Sequence, residues 1–307
     1  MAEILQVDGG KCQDPSIREL VRRDGTGRPV EEIVRSLARQ KLAEADEILG
    51  QIDEHWSPPP FDPFLVAQAL GIRCAPVRRP DLAEAMIFVK EGVPTILYRE
   101  ERSSVRTNFN IYHEIAHTLF PDYQYNDFYR SARRPKLFEP EGQLEYLCDV
   151  AAAEFLMPMD FFCRDLDERG FGAAQVNYFC QRYGASLEAV CLRMVEANAA
   201  DCALALMEYQ PSQRKGQRKE RGQQVRVIYT APSEQFRRHC LFIPISLLLE
   251  NRSCIHQAAR SKKPACGEET LDLGRGAAQR FHIEVLPLTA RRRRHGRTPV
   301  LTFLYPR

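Results

Sequence analysis

No apolar run in this sequence approaches the roughly 20 residues needed to cross a bilayer, so a membrane-spanning role is set aside. The opening residues Met1-Ala2-Glu3-Ile4-Leu5-Gln6-Val7-Asp8 lack a basic segment followed by an apolar one, and no secretory signal is expected. Paired cysteines are missing too. The ten cysteines are scattered singly with no CxxC spacing, which excludes a small disulfide framework and implies free thiols. Cys148, Cys180 and Cys191 fall in apolar helical patterns, where a thiol packs as a small hydrophobe. The expectation is a reduced, cytoplasmic protein. Charge of one sign is also lacking: 43 basic against 41 acidic residues give a net charge of +2, which identifies no partner. What is present, 44% hydrophobic and 27% charged residues over 307 positions, is ordinary for a globular chain with room for more than one domain.

The chain has no internal repeat, and it reads as four segments. Val30, Ile33, Val34, Leu37, Ala38, Leu42, Ala45, Ile48 and Leu49 recur at helical spacing, which predicts a helix over 30–49 within a helical extension of residues 1–56. Ser57-Pro58-Pro59-Pro60 ends it. Residues 57–165 then predict a mixed domain. It begins with a helix over 62–70 that stops at Gly71, followed by a short strand over 72–76. A β-hairpin comes next, Met86-Ile87-Phe88-Val89 and Thr95-Ile96-Leu97-Tyr98 about a Gly-containing turn. A helix capped by Ser103 or Ser104 runs to Phe120, before Pro121, and another covers 144–156. Residues 166–200 read as a helix-turn-helix-like hairpin, and 201–307 as a separate α/β domain with strands near 203–209, 225–229, 282–286 and 300–304. The fold class expected is α+β.

The chemistry centres on His113-Glu114-Ile115-Ala116-His117. Residues four apart on a helix share a face, so both imidazoles can meet one metal ion, and Glu114 beside the first can act as general base. Phe109, Tyr112, Ala116 and Phe120 supply this helix with a buried stripe. The preceding hairpin is where zinc peptidases offer an edge strand to a bound peptide. A catalytic zinc site needs a third protein ligand and leaves the fourth position open. Glu145 and Asp149, one turn apart, are the candidates; if Glu145 ligates, Asp149 can accept a hydrogen bond from the far nitrogen of a ligand histidine. Glu154 competes on the same helix. His55, His239, His256, His282 and His295 are distant in sequence and suggest no fourth ligand.

These residues carry a resemblance. Arg106-Thr107-Asn108-Phe109 before the motif resembles the ImmA/IrrE family of metallopeptidases, as does the run from Glu145-Tyr146-Leu147-Cys148-Asp149 to Glu154-Phe155-Leu156-Met157-Pro158 after it. The Cys148-Asp149-x-Ala151-Ala152-Ala153 run is most similar to the IrrE-type radiation-response regulators. The resemblance spans residues 60–158. It implies a zincin-like fold, zinc (with manganese as the alternative metal), His113, His117 and Glu145 as ligands, and Glu114 as catalytic base. It also implies a helix-turn-helix repressor as the protein substrate, cut once in a stress or mobile-element response, and a GAF-like sensor module at the carboxyl end. This sequence departs from the family by carrying Ala116 where glycine is usual, and by its long extension before Ser57.

Several features are left open by the sequence. Tyr123, Tyr125, Tyr129 and Arg130, between the two ligand helices, are candidates to stabilise an oxyanion. In the hairpin, Arg193 is the basic residue a DNA-reading helix would expose, though Glu188 and Glu196 lie beside it, and a structural hairpin is the reading preferred. The basic runs 214–221 and Arg291-Arg292-Arg293-Arg294-His295-Gly296-Arg297 would attract phosphate, but read more simply as exposed loops. Two other functions compete with the site-specific peptidase: a general zinc peptidase, and a non-enzymatic zinc-containing regulator that binds DNA or a partner.

Overall fold

Asp-Pro pairs open two of the helices. In the computed structural model, residues 14–78, 84–100, 103–121, 140–198, 200–209, 223–238, 243–244, 246–249, 253–272, 278–288 and 298–307 are described. Asp14 caps α1 (Pro15–Asp24): its carboxylate accepts from the Ser16 and Ile17 amides, and Gly25 closes the helix in the left-handed region. Proline is harmless in a first turn because its absent N–H would have no helical partner there. This helix is additional to the sequence expectation, although its start and stop signals are all present. In α2 (Val30–Ile52) the buried stripe is Val30, Ile33, Val34, Ala38, Leu42, Ala45 and Leu49. The helix runs to Ile52, three residues past the last residue of that stripe, and Ile52 is 77% exposed. Asp62 then caps α3 (Pro63–Ala69) as Asp14 caps α1.

Next come β1 (Arg73–Val77), β2 (Ala85–Lys90) and β3 (Val93–Arg99), in the sheet order β1-β3-β2. β1 runs parallel to β3, and β2 antiparallel to it with Ile87 opposite Ile96. The hairpin turn is Glu91-Gly92, with φ of 52° and 78°. Two left-handed residues in succession give the turn a twist that matches its strands, and glycine occupies the second without strain. β2 is left as an edge of this sheet.

α4 (Ser104–His117) and α5 (Pro140–Leu156) pack against each other. α4 ends at His117, earlier than the predicted Phe120. Beyond it the amides of Thr118, Leu119 and Phe120 each bond to a carbonyl three residues back, which tightens the last turn. Ser103 occupies the N-cap without a side-chain bond. α5 starts about a turn earlier than predicted, so Glu145 lies inside the helix rather than at its tip. Tyr112 joins the two: its ring stacks on Phe155 with centroids 5.5 Å apart, and its hydroxyl donates to the Phe61 carbonyl at 3.0 Å. α2 packs along α5 as well. There Glu154, 1% exposed, meets Arg35 at 3.4 Å and Arg39 at 3.3 Å, and accepts from the Met159 amide at 3.1 Å.

α6 (Met159–Arg169), a 3₁₀ turn (Ala173–Gln175), α7 (Val176–Tyr183) and α8 (Leu187–Ala197) follow. The chain forms two units: one comprises Gln6–Phe162 and Tyr178–Ser186, the other Met1–Leu5, Cys163–Asn177 and Leu187–Arg307. Phe162 belongs to the first, where its ring lies 4.9 Å from Phe179 and 5.2 Å from Tyr183. In the second, Arg193 of α8 is buried and pairs with Glu196 at 3.0 Å, so the one basic residue a DNA-reading helix would expose is not available.

The second unit continues with β4 (Ala203–Tyr209), β5 (Gln223–Pro232), α9 (Glu234–Arg238), β6 (Ser246–Leu249), α10 (Cys254–Ser261), β7 (Ala265–Asp272), β8 (Ala278–Pro287) and β9 (Thr298–Pro306). Its sheet is antiparallel throughout, in the order β6-β5-β4-β9-β8-β7. Ala205, Val225, Phe236, Ile255, Phe281 and Val300 share its core. The sequence predicts the four inner strands and misses β6 and β7, which are the two edges. β7 carries polar residues and no continuous apolar face, as Gly267-Glu268-Glu269-Thr270 shows, and β6, Ser246-Leu247-Leu248-Leu249, is only four residues long. With helices and two sheets the architecture is α+β. No described helix is long and apolar enough to cross a membrane.

The packing of α2 on α5 gives a stability prediction. Glu154→Gln removes a buried charge that three donors serve, and should cost about 2 kcal/mol in urea unfolding. Arg39→Ala, whose side chain is 41% exposed, should cost less than about 1 kcal/mol. An equal loss in the two variants would contradict Glu154 as the anchored partner.

Candidate metal centre

Helical geometry brings the motif together. His113 and His117 are four residues apart on α4, and their rings lie edge to face with centroids 5.2 Å apart. Both are buried, as is Glu114 between them at 2% exposure. Facing them on α5 are Glu145, Cys148 and Asp149, at positions i, i+3 and i+4, which share one helix face.

Every contact falls on a specific atom. Glu145 Oε2 is 3.2 Å from His113 Nε2, and its Oε1 is 3.6 Å from His117 Nε2. Asp149 Oδ1 lies 2.8 Å from His113 Nδ1. Cys148 Sγ lies 3.5 Å from His117 Nδ1. Glu114 Oε2 accepts from the Ile87 amide of β2 at 3.0 Å, so the acid is tethered to the sheet edge. Glu154 is drawn away by Arg35 and Arg39. Tyr123, Tyr125, Tyr129 and Arg130 lie outside the described residues, as do the basic runs 214–221 and 291–297.

His113, His117 and Cys148 form a buried group whose ligand atoms all lie within 4.8 Å of one another, and it could hold a metal ion. Two donor sets therefore share the histidines, one completed by the Cys148 sulfur and the other by the Glu145 carboxylate. The two sets meet different ring nitrogens of His117. Donors each about 2.0–2.1 Å from one zinc ion at tetrahedral angles stand about 3.3–3.4 Å apart. The spacings between the two Nε2 atoms and the Glu145 oxygens bracket that figure. The sulfur instead stands against the opposite ring nitrogen of His117. Two imidazoles and a carboxylate are a donor set that suits zinc. Nothing in the pattern of a helical alanine-rich run marked Cys148 as more than a packed thiol; its sequence signal was its place one turn from Glu145.

Ala116 is fully buried, and the helix accommodates its methyl group where glycine is usual in the resembling family. The electrostatics of His113 are set by its neighbours. Burial opposes its charged form, but the hydrogen bonds to Asp149 and Glu145, with the nearby charges of Asp149 and Glu114, raise it to about 9. A metal ligand must be neutral at the ligating nitrogen, so metal and proton compete. Below pH 9 the metal-free ring is protonated, and metal uptake should weaken about tenfold per pH unit as pH falls. Calorimetry at pH 7.5 in two buffers of different ionisation enthalpy should show about one proton released per zinc bound; no release would contradict this account of His113.

Comparison with known proteins bears on the segment that holds these residues. Residues 72–195 match the family model of the M78 peptidases, described as the IrrE N-terminal-like domain. No curated protein matches the chain in sequence. Among solved structures, a Mycobacterium tuberculosis transcriptional regulator is similar in fold, with a TM-score of 0.51 and 12% identity over 90% of this chain and 80% of that one. The matched residues 72–195 hold both histidines, Glu114 and the facing residues of α5, and this segment is similar to the IrrE N-terminal-like domain of the M78 peptidases.

Proposed function

We propose that the chain is a zinc-dependent, site-specific endopeptidase in which His113, His117 and Glu145 hold the metal and Glu114 is the general base. The observation that carries this reading is the convergence of both Nε2 atoms on the Glu145 carboxylate. A zinc ion at such a site supplies Lewis acidity, which acidifies water and polarises a peptide carbonyl. Glu114, held by the Ile87 amide, takes a proton from water at the site and returns it to the leaving amine. Asp149 holds the His113 ring in the tautomer that turns an unprotonated Nε2 toward the metal. β2, an edge strand whose Ile87 touches the general base, offers main-chain groups to an extended peptide. The metal-binding unit is read as zincin-like on this arrangement.

The substrate proposed is a helix-turn-helix repressor, because the residues around the motif resemble the repressor-cleaving branch of the family. The antiparallel sheet of the second unit, with α10 packed on β7, β8 and β9, supports reading that unit as a GAF-like sensor. Residues 1–56, 57–165, 166–200 and 201–307 are retained as the functional segments. A cytoplasmic site of action is inferred from the cysteines, all free among the described residues. Burial of Arg193 weighs against direct DNA binding by α8.

The decisive experiment incubates the purified chain, with and without zinc, with a small helix-turn-helix repressor encoded beside it, and reads fragments by intact mass. Glu114→Gln should lower the cleavage rate about 10²–10⁴-fold with zinc still bound. Glu145→Ala should lose metal affinity beyond the roughly 10–100-fold attributed to outer partners. Full zinc content in the Glu145 variant would defeat the ligand assignment. Absence of cleavage with zinc bound would assign the domain to the non-enzymatic reading.

A further inference from the structure

The two histidines of the motif are supported differently. A histidine that ligates through Nε2 carries its proton on Nδ1, and that N–H needs an acceptor to fix the ring. For His113 the acceptor is the Asp149 carboxylate at 2.8 Å. At the corresponding atom of His117 stands Cys148 Sγ, 3.5 Å away. His117 is 2% exposed and Cys148 fully buried, so the sulfur meets the ring in a setting from which bulk water is excluded.

We propose that Cys148 is a positioning residue for His117: its sulfur accepts the Nδ1–H hydrogen bond and holds Nε2 toward the metal. The proposal rests on the reading of His113, His117 and Glu145 as the ligands. It assigns one face of α5 three separate tasks. Glu145 supplies a ligand, and Cys148 and Asp149, three and four residues on, each hold one histidine from behind. The competing role, sulfur as ligand, would need His117 to bind the metal through Nδ1, whereas the Glu145 carboxylate faces its Nε2. The pairing is also uneven. A carboxylate is a strong charged acceptor and a thiol sulfur a weak neutral one.

The test uses cobalt(II) chloride as a spectroscopic probe on the full chain, in wild type, Cys148→Ala and Cys148→Ser, with circular dichroism confirming that each variant folds. Wild type should bind cobalt without the near-ultraviolet charge-transfer band that thiolate ligation produces. Cys148→Ala should bind cobalt about 10–100-fold more weakly. Cys148→Ser, whose hydroxyl oxygen can also accept, should recover most of that loss. A charge-transfer band in wild type that vanishes in Cys148→Ala would make Cys148 a ligand and overturn the proposal. Unchanged affinity in Cys148→Ala, or no recovery in a folded Cys148→Ser, would also overturn it. Failure of wild type to take up cobalt, or uptake indifferent to His113→Ala, would strike down the metal site itself and the proposal with it.

Discussion

The register in which α4 packs on α5 is the constraint on which the metal centre depends. Ala116, Ala151 and Ala152 are fully buried, and side chains this small let helix backbones approach closely. The stack of Tyr112 on Phe155, with the Tyr112 hydroxyl fastened to Phe61, fixes how far one helix slides along the other. A residue advances about 100° around a helix, so a slip of one position would turn Glu145, Cys148 and Asp149 together away from the histidines. The centre is thus a property of the helix pair, and the packing residues around it are as necessary as the donors.

The same geometry explains why three acidic residues of one helix have three fates. Asp149 lies one turn from Glu145 and meets the same histidine from its other nitrogen. Glu154 is nine residues from Glu145, about two and a half turns, and therefore on the opposite face. That face belongs to α2, whose Arg35 and Arg39 neutralise it. Through this contact α2 packs against the helix that presents the centre. Glu114 is restrained differently: a sheet-edge amide holds it, which ties the general base proposed here to the strand where a peptide would lie.

Much of this was legible beforehand where a single local rule governs. The hairpin follows from Glu91-Gly92, whose turn needs left-handed backbone, and α3 from Asp62-Pro63. The motif itself required only helical spacing. Where two elements cooperate, legibility fails. β7 lacks a continuous apolar face and β6 is too short to show a period, and the end of α4 at His117 depends on three tight turns that Pro121 does not dictate. α1 is a different case: Asp14-Pro15 and Gly25 announce it, in a segment too polar for periodicity to draw attention to it.

By itself, the sequence determined that His113 and His117 share a helical face with Glu114 between them, because spacing within one helix is fixed by backbone geometry. It also put Glu145, Cys148 and Asp149 on one face of another helix. Only the tertiary structure decided which nitrogen each of these meets: Nε2 for the Glu145 carboxylate, Nδ1 of His113 for Asp149, and Nδ1 of His117 for the Cys148 sulfur. The reason is physical. Contacts between helices depend on the rotation and slide of one against the other, and those are set by core packing among residues that carry no chemical signature of their own.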